Sequence, residues 1–193
     1  MQVETHPVTP DRFEDFADVV NPNRRATHCW CVTHRLRQAD VHELGGDGDD
    51  ARERAMLALC ERDQPPGVVA YADGTPVAWC NIGRRADMPF LARSSKIRPV
   101  DDVDVWSIVC VVVRGGHRKR GHTTPLLEGA VAYAAAHGAP AVEAYPVEPE
   151  GRMDTTMAFV GTRQMFEKVG FEVIGRTDAV ASRLPRIVMR RTL

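Results

Sequence analysis

Arg118, Lys119 and Arg120 stand in a row between Gly115-Gly116 and Gly121, after the apolar run Val111-Val112-Val113 and just ahead of a helical pattern. A Gly-rich turn leading into a helix start leaves backbone N–H groups without intrahelical partners and adds the partial positive charge of the helix dipole. Three cationic side chains at that point complete an anion site, and the chemistry it implies is recognition of a phosphate-bearing ligand. Two nucleotide loops are excluded by spacing. Gly116 and Gly121 are followed by His122-Thr123 where a Walker-type loop needs Lys-Ser/Thr, and no G-x-G-x-x-G dinucleotide fingerprint occurs.

A second reactive cluster is His28-Cys29-Trp30-Cys31-Val32-Thr33-His34. Two thiols and two imidazoles invite a metal, but Cys-x-Cys lacks the two-residue gap of zinc knuckles and no second pair follows, so no metal is expected. The segment is expected instead near a substrate cleft with Trp30 and Cys31 as walls, against the simpler reading of core packing. Cys110 lies in an apolar run without an evident His partner and is expected to be an inert buried thiol.

The elements that must position these residues follow from pattern. Residues 105–113 read as a buried strand and 124–137 as a helix, with Leu126, Leu127, Ala130, Val131 and Ala134 on one period and Gly138 at its C-terminal end. Residues 141–145 read as the next strand, closing a βαβ unit. Upstream, Thr9-Pro10-Asp11 opens a helix that Asn21-Pro22-Asn23 stops, and residues 51–62 form another. Residues 67–72 and 75–82 form a hairpin around Asp73-Gly74. Residues 84–104 are a long loop with a helical turn near Phe90, expected to be a lid or substrate wall. Residues 180–189 are read as a last strand, with Pro185 at an edge or irregular start.

Arg118-x-x-Gly121-x-Thr123 after a valine-rich strand resembles the Arg/Gln-x-x-Gly-x-Gly/Ala signature of the GCN5-related N-acetyltransferases, the GNAT superfamily, with Thr123 as its atypical member. Met165-Phe166-Glu167-Lys168-Val169-Gly170-Phe171 resembles a second landmark of that family, with Phe166 where a Tyr usually stands. The resemblance implies a single α/β (α+β) domain over residues 1–193, with a mixed central sheet, splayed central strands and flanking helices. It implies acetyl-CoA as cosubstrate, held by Arg118, Lys119, Arg120, Gly121, His122, Thr123 and Thr124, with backbone around Cys110, Val111 and Val113 meeting the pantetheine arm and Phe166 nearby. His117 and His122 are expected beside the pyrophosphate or on solvent.

Acetyl transfer to an amine needs a neutral amine, a polarised carbonyl and a proton for the thiolate. In relatives an acid or His often lies on the strand about eleven residues ahead of the signature; here that place holds Ser107. The expected catalytic set is therefore Ser107 with Asp104, Glu143 and Tyr145, the last two sharing a strand face. Phe166 cannot protonate the leaving thiolate. The expected reaction is direct transfer from acetyl-CoA to a primary amine of a small molecule or protein, cationic amines being favoured by the acidic runs at 47–50 and 101–104. The alternative is a non-catalytic acyl-CoA-binding or sensor module.

Composition agrees with an ordinary folded domain: 193 residues, 44% apolar, net charge −1. Near-neutral charge argues against nucleic-acid or anionic-membrane partners. No membrane span or signal-peptide pattern is read, and five cysteines without disulfide rhythm suggest reduced thiols and a cytoplasmic location. A homodimer is left open by the resemblance.

Overall fold

The computed structural model describes residues 2–148 and 159–193. Seven strands form one mixed sheet in the order β1-β2-β3-β4-β5-β7-β6. They are β1 (Val3–Pro7), β2 (Gly67–Ala72), β3 (Thr75–Arg84), β4 (Trp106–Val113), β5 (Ala141–Ala144), β6 (Glu172–Ala181) and β7 (Leu184–Thr192). The helices are α1 (Phe13–Val20), α2 (Gln38–Gly45), α3 (Ala51–Cys60), the short α4 (Pro89–Ala92), α5 (Thr123–Ala136) and α6 (Arg163–Glu167). No helix among the described residues is long and apolar enough to cross a membrane.

The β2–β3 hairpin turns on Asp73 and Gly74 with φ of 48° and 79°, the primed geometry that suits strand twist. The first residues, which carry no strand signal in the sequence reading, form β1, antiparallel to β2. Two expectations are corrected. The first helix opens as a 3-10 turn over Pro10–Arg12, and the Thr9 hydroxyl accepts from Arg12 (2.9 Å) rather than capping the backbone. The chain end is a β6–β7 hairpin rather than one strand, turning on Ser182 and Arg183 with φ of 50° and 65°. Neither is a usual left-handed residue, which hid the turn.

One sheet face packs on α5 and α6 through Val68, Cys80, Ile108, Val111, Leu127, Phe166 and Met189. The other carries α1, α2 and α3 through Phe16, Trp30, Met56, Val69, Trp79 and Cys110. Pairing of β3 with β4 slips between Asn81↔Cys110 and Ile82↔Ile108, leaving Val109 as an extra residue. Such a bulge breaks the alternation of side chains. Val109 and Cys110 consequently both join clusters on the α1 side, while Val111 returns to the α5 side.

Parallel pairing of β4 with β5 is limited to Trp106↔Val142, Ser107↔Glu143 and Ile108↔Ala144. β5 ends just before Tyr145-Pro146, where proline has no N–H to give a ladder, whereas β4 continues to Val113. The sheet therefore opens beside residues 109–113.

α5 lies so close to β1 that a Cβ built at Gly129 would fall 2.0 Å from Thr5 Oγ1. Gly129→Val should lower stability by about 1–3 kcal/mol through overpacking against a stiff β-branched side chain. Denaturant unfolding measures this, and an unchanged midpoint would refute the close α5–β1 packing.

Candidate active site

The loop joining β4 to α5 is built from alternating backbone hands. Gly116, Lys119 and Gly121 all have positive φ, at 80°, 62° and 82°. No atom lies within 4 Å of a Cβ built at Gly121, so glycine there answers to conformation and not to crowding. Turns of this kind aim backbone N–H groups at a common point. Arg118 and Lys119 are exposed on it, and His117 N–H closes the first turn on Arg114 O at 3.1 Å.

Part of the β4 backbone faces the opening. Arg114 N–H donates to Val77 O on β3 (2.8 Å). Alternate residues of a strand turn both backbone groups to the same side, so Val112 and Cys110 also face β3. Val111 and Val113 face the gap, and Arg118 Nε reaches Val113 O there at 3.4 Å. The expected contribution of Cys110 backbone is corrected accordingly: the bulge brings its side chain, not its amide, to the site.

A cleft of about 530 Å³ runs along this opening. It is lined by Arg118, Lys119 and Thr123 of the loop and helix start, by Cys110 to Val113 of β4, and by apolar Val20, Phe159 and Met165. His28, Cys29, Cys31, Thr33 and His34 complete the lining. The donor set fits a pyrophosphate followed by an amide-bearing arm: two cations, a positive helix start, and the backbone of two strand residues facing a gap. His122 lies next to this loop in sequence but outside the cleft lining. It is 2% exposed, and both its ring nitrogens lack a partner among the described residues. Burial, with His117 and Arg120 nearby, pulls its pKa down.

Six expected cosubstrate contacts line the cleft: Cys110, Val111, Val113, Arg118, Lys119 and Thr123. Arg120, Gly121 and Thr124 are exposed outside its lining, and His122 is buried behind the loop rather than on solvent. Phe166 is fully buried, edge-on to Phe171 at 5.2 Å, and serves the core. Arg118→Ala removes a charged donor worth about 1.5–3 kcal/mol, so CoA should bind roughly ten- to a hundredfold more weakly. Calorimetric titration with CoA reads this, and unchanged affinity would place the pyrophosphate elsewhere.

The expected catalytic set is placed differently. Ser107 Oγ, Tyr145 Oη and Glu143 are brought together, with Ser107–Tyr145 at 3.0 Å and Tyr145 donating to Glu143 Oε2 at 2.8 Å. Arg85 also donates to Tyr145 Oη (2.7 Å), and Arg190 Nη2 donates to Glu143 Oε1 (2.6 Å). All of Ser107, Glu143, Tyr145 and Arg85 are buried, and none lines the cleft. Burial and the Glu143 carboxylate hold the Tyr145 hydroxyl protonated, well above its ordinary pKa. Asp104 is exposed and pairs with Arg84 at 2.7 Å, also outside the lining. Asp47, Asp50, Asp101 and Asp104 of the two acidic runs are similarly engaged, with His42, Arg54, Arg190 and Arg84 respectively.

Sequence reasoning did not single out the imidazoles as bases. His28 Nδ1 accepts the Trp30 backbone N–H at 2.9 Å, so the neutral ring carries its proton on Nε2. No hydrogen bond engages His34 among the described residues, leaving it free to accept. Burial first, then the Arg186 and Arg35 charges, pull the His34 pKa below its ordinary value. A neutral imidazole with an open nitrogen can take a proton near pH 7.

Its segment is pinned. Asn81 Nδ2 donates to Cys31 O (2.9 Å), and Arg35 Nε donates to Asn81 Oδ1 (2.7 Å). Cys31 lines the cleft as expected, while Trp30 lies wholly in the core, stacked on Phe13 at 5.9 Å. Among the described residues, no three or more His, Cys, Asp or Glu are arranged to hold a metal ion.

Residues 33–171 match the model of the acetyltransferase (GNAT) family. The chain belongs to the GNAT acetyltransferase family. No curated protein matches this GNAT chain significantly by sequence. Solved structures share the GNAT fold at low identity. An N-acetyltransferase from Staphylococcus aureus Mu50 has TM-score 0.56 and 11% identity, covering 100% of this chain and 99% of that one. A GNAT-family acetyltransferase from Streptococcus agalactiae 2603 has TM-score 0.55 and 12% identity, covering 99% and 95%. The aminoglycoside acetyltransferase AAC(6')-Ib, solved with coenzyme A, has TM-score 0.57 and 14% identity, covering 99% and 95%.

Proposed function

We propose that this GNAT protein transfers acetyl from acetyl-CoA directly to a primary amine of a small molecule or protein, with His34 taking the proton from the amine. The observation that carries the reading is the cleft itself, whose lining brings the Arg118–Lys119 loop together with the His34 imidazole, whose pKa is held below its ordinary value. Backbone of Val111 and Val113 holds the arm and orients the thioester, while the phosphate loop anchors the far end. An imidazole in this place supplies what buried Ser107 and Glu143 cannot, because they do not reach the cleft. The same reading makes residues 1–193 one domain acting without a metal in the cytoplasm.

Four of the six acids at 47–50 and 101–104, namely Asp47, Asp50, Asp101 and Asp104, are engaged by neighbouring side chains and none of the six lines the cleft, so these runs give no support to a cationic acceptor. A CoA-release assay with acetyl-CoA against a panel of primary amines tests the reading. Turnover on at least one amine is expected. Phe166 in the usual Tyr place favours a second reading, an acyl-CoA sensor, for which acetyl-CoA raises thermal stability but no amine is acetylated. Stabilisation by ATP with Mg²⁺ and not by CoA would contradict both.

A further inference from the structure

Cys29, Cys31 and Cys110 all line the one cleft, although they come from two separate elements. Cys29 is exposed; Cys31 and Cys110 are buried. Cys29 and Cys31 sit in one turn, closed by the Val32 N–H donating to Cys29 O at 3.2 Å, and both side chains line the cleft. The backbone that presents Cys31 is unusual as well. Trp30 and Cys31 have φ of 48° and 57°, two consecutive non-glycine residues in the left-handed region. That conformation costs free energy and persists only where its surroundings impose it, here the Trp30 ring between Phe13 and Phe16 and the Asn81 bond to Cys31 O. The proposed acetyl transfer uses none of the three thiols.

We propose that Cys29 and Cys31 form a modification site for low-molecular-weight disulfides that enter the cleft. Cys29, the exposed member, attacks a disulfide R–S–S–R, forming Cys29–S–S–R and releasing one R–SH. The neighbouring Cys31 then attacks the Cys29 sulfur, forming the Cys29–Cys31 bond and releasing the second R–SH. Two protein thiols lose two electrons and two protons, and the small disulfide is reduced to two thiols, so the exchange balances without a further oxidant. The neighbouring thiols, Cys31 beside Cys29 and Cys110 beside Cys31, together with burial hold both pKa values above the ordinary cysteine value, so the exchange is slow near neutral pH and quickens as pH rises. The closed form ties the wall that carries His34. That blockage of acetyl transfer rests on the proposed function, whereas the exchange rests only on the cleft.

The test treats the folded full chain with bis(2-hydroxyethyl) disulfide, quenches with acid, alkylates the remaining thiols and maps the peptides. The expected product is a Cys29–Cys31 disulfide with Cys60, Cys80 and Cys110 alkylated. In Cys31→Ser the reaction should stop at a stable hydroxyethyl adduct on Cys29, and in Cys29→Ser residue Cys31 should stay reduced. Circular dichroism checks that each variant is folded, and the wild-type map carries the test where one is not. Oxidation of Cys31 in folded Cys29→Ser, a Cys31–Cys110 bond in the wild type, or no reaction in the folded wild type would each overturn the proposal. Acetyl-CoA should slow the exchange. Failure of acetyl-CoA to bind at all, read separately by thermal shift, would count against the donor reading and leave the thiol map standing.

Discussion

Replacing His34 with Ala should lower kcat/KM for the proposed acetyl transfer by about 10²–10⁴-fold, the range for a general base lost from its site. The argument rests on three features of this imidazole. It lines the cleft, it has no hydrogen-bond partner among the described residues, and its pKa is held below the ordinary histidine range by burial and by Arg186 and Arg35. The active form is the neutral one. Activity should therefore be full near pH 7 and fall as pH drops through a value below about 6.5, with this acid limb absent in His34→Ala. His28→Ala should have a smaller effect, because its Nδ1 is already engaged by the Trp30 N–H and cannot accept the amine proton. CoA affinity should change little in His34→Ala, since the substitution leaves Arg118 and Lys119 of the phosphate loop in place. A pH–rate profile that keeps its acid limb in the variant would assign the base to another group.

Glu143→Ala should lower folding stability by about 3–5 kcal/mol, the usual result of removing one partner from a buried ion pair. Glu143 is 2% exposed and accepts from Tyr145 and from two nitrogens of Arg190, at 3.1 and 2.6 Å. Its removal strips Tyr145 of an acceptor and leaves the Arg190 guanidinium only the exposed Asp101. Equilibrium unfolding in denaturant reads the loss. Glu143→Gln should cost less, because an amide oxygen still accepts from Tyr145. The opposite pattern, stability preserved and turnover abolished, would restore Glu143 to the catalytic role that its place in the sequence suggested.

The donor half of this protein is largely written in local sequence. The Arg118-x-x-Gly121 loop announces itself because glycine and basic residues at a strand–helix junction do one physical thing, and the β4–α5–β5 order follows from hydrophobic period. Glu143 and Tyr145 were likewise correctly paired on one face by the period of two. Their direction relative to the cleft was not readable, because it depends on burial under the 85–97 segment, where Arg85 reaches Tyr145 across sixty positions of chain.

The bulge at Val109 posed a similar difficulty. A one-residue slip leaves no mark in a run of apolar residues, yet it decides that Cys110 faces α1 and Val111 faces α5. His34 was hidden for a different reason. Its place on the cleft lining follows a left-handed turn at Trp30 and Cys31, residues whose types give no hint of that conformation. The hairpin at Ser182-Arg183 was missed on the same grounds.

The most direct test is a crystal structure of the protein with acetyl-CoA bound. The pyrophosphate is expected on the backbone of the 116–123 loop between Arg118 and Lys119, the pantetheine arm against Val111 and Val113, and the thioester in the part of the cleft bounded by Cys110 and His34. A cosubstrate lying outside the β4–β5 opening, or a thioester facing the Ser107–Tyr145–Glu143 network with His34 remote from it, would contradict the account.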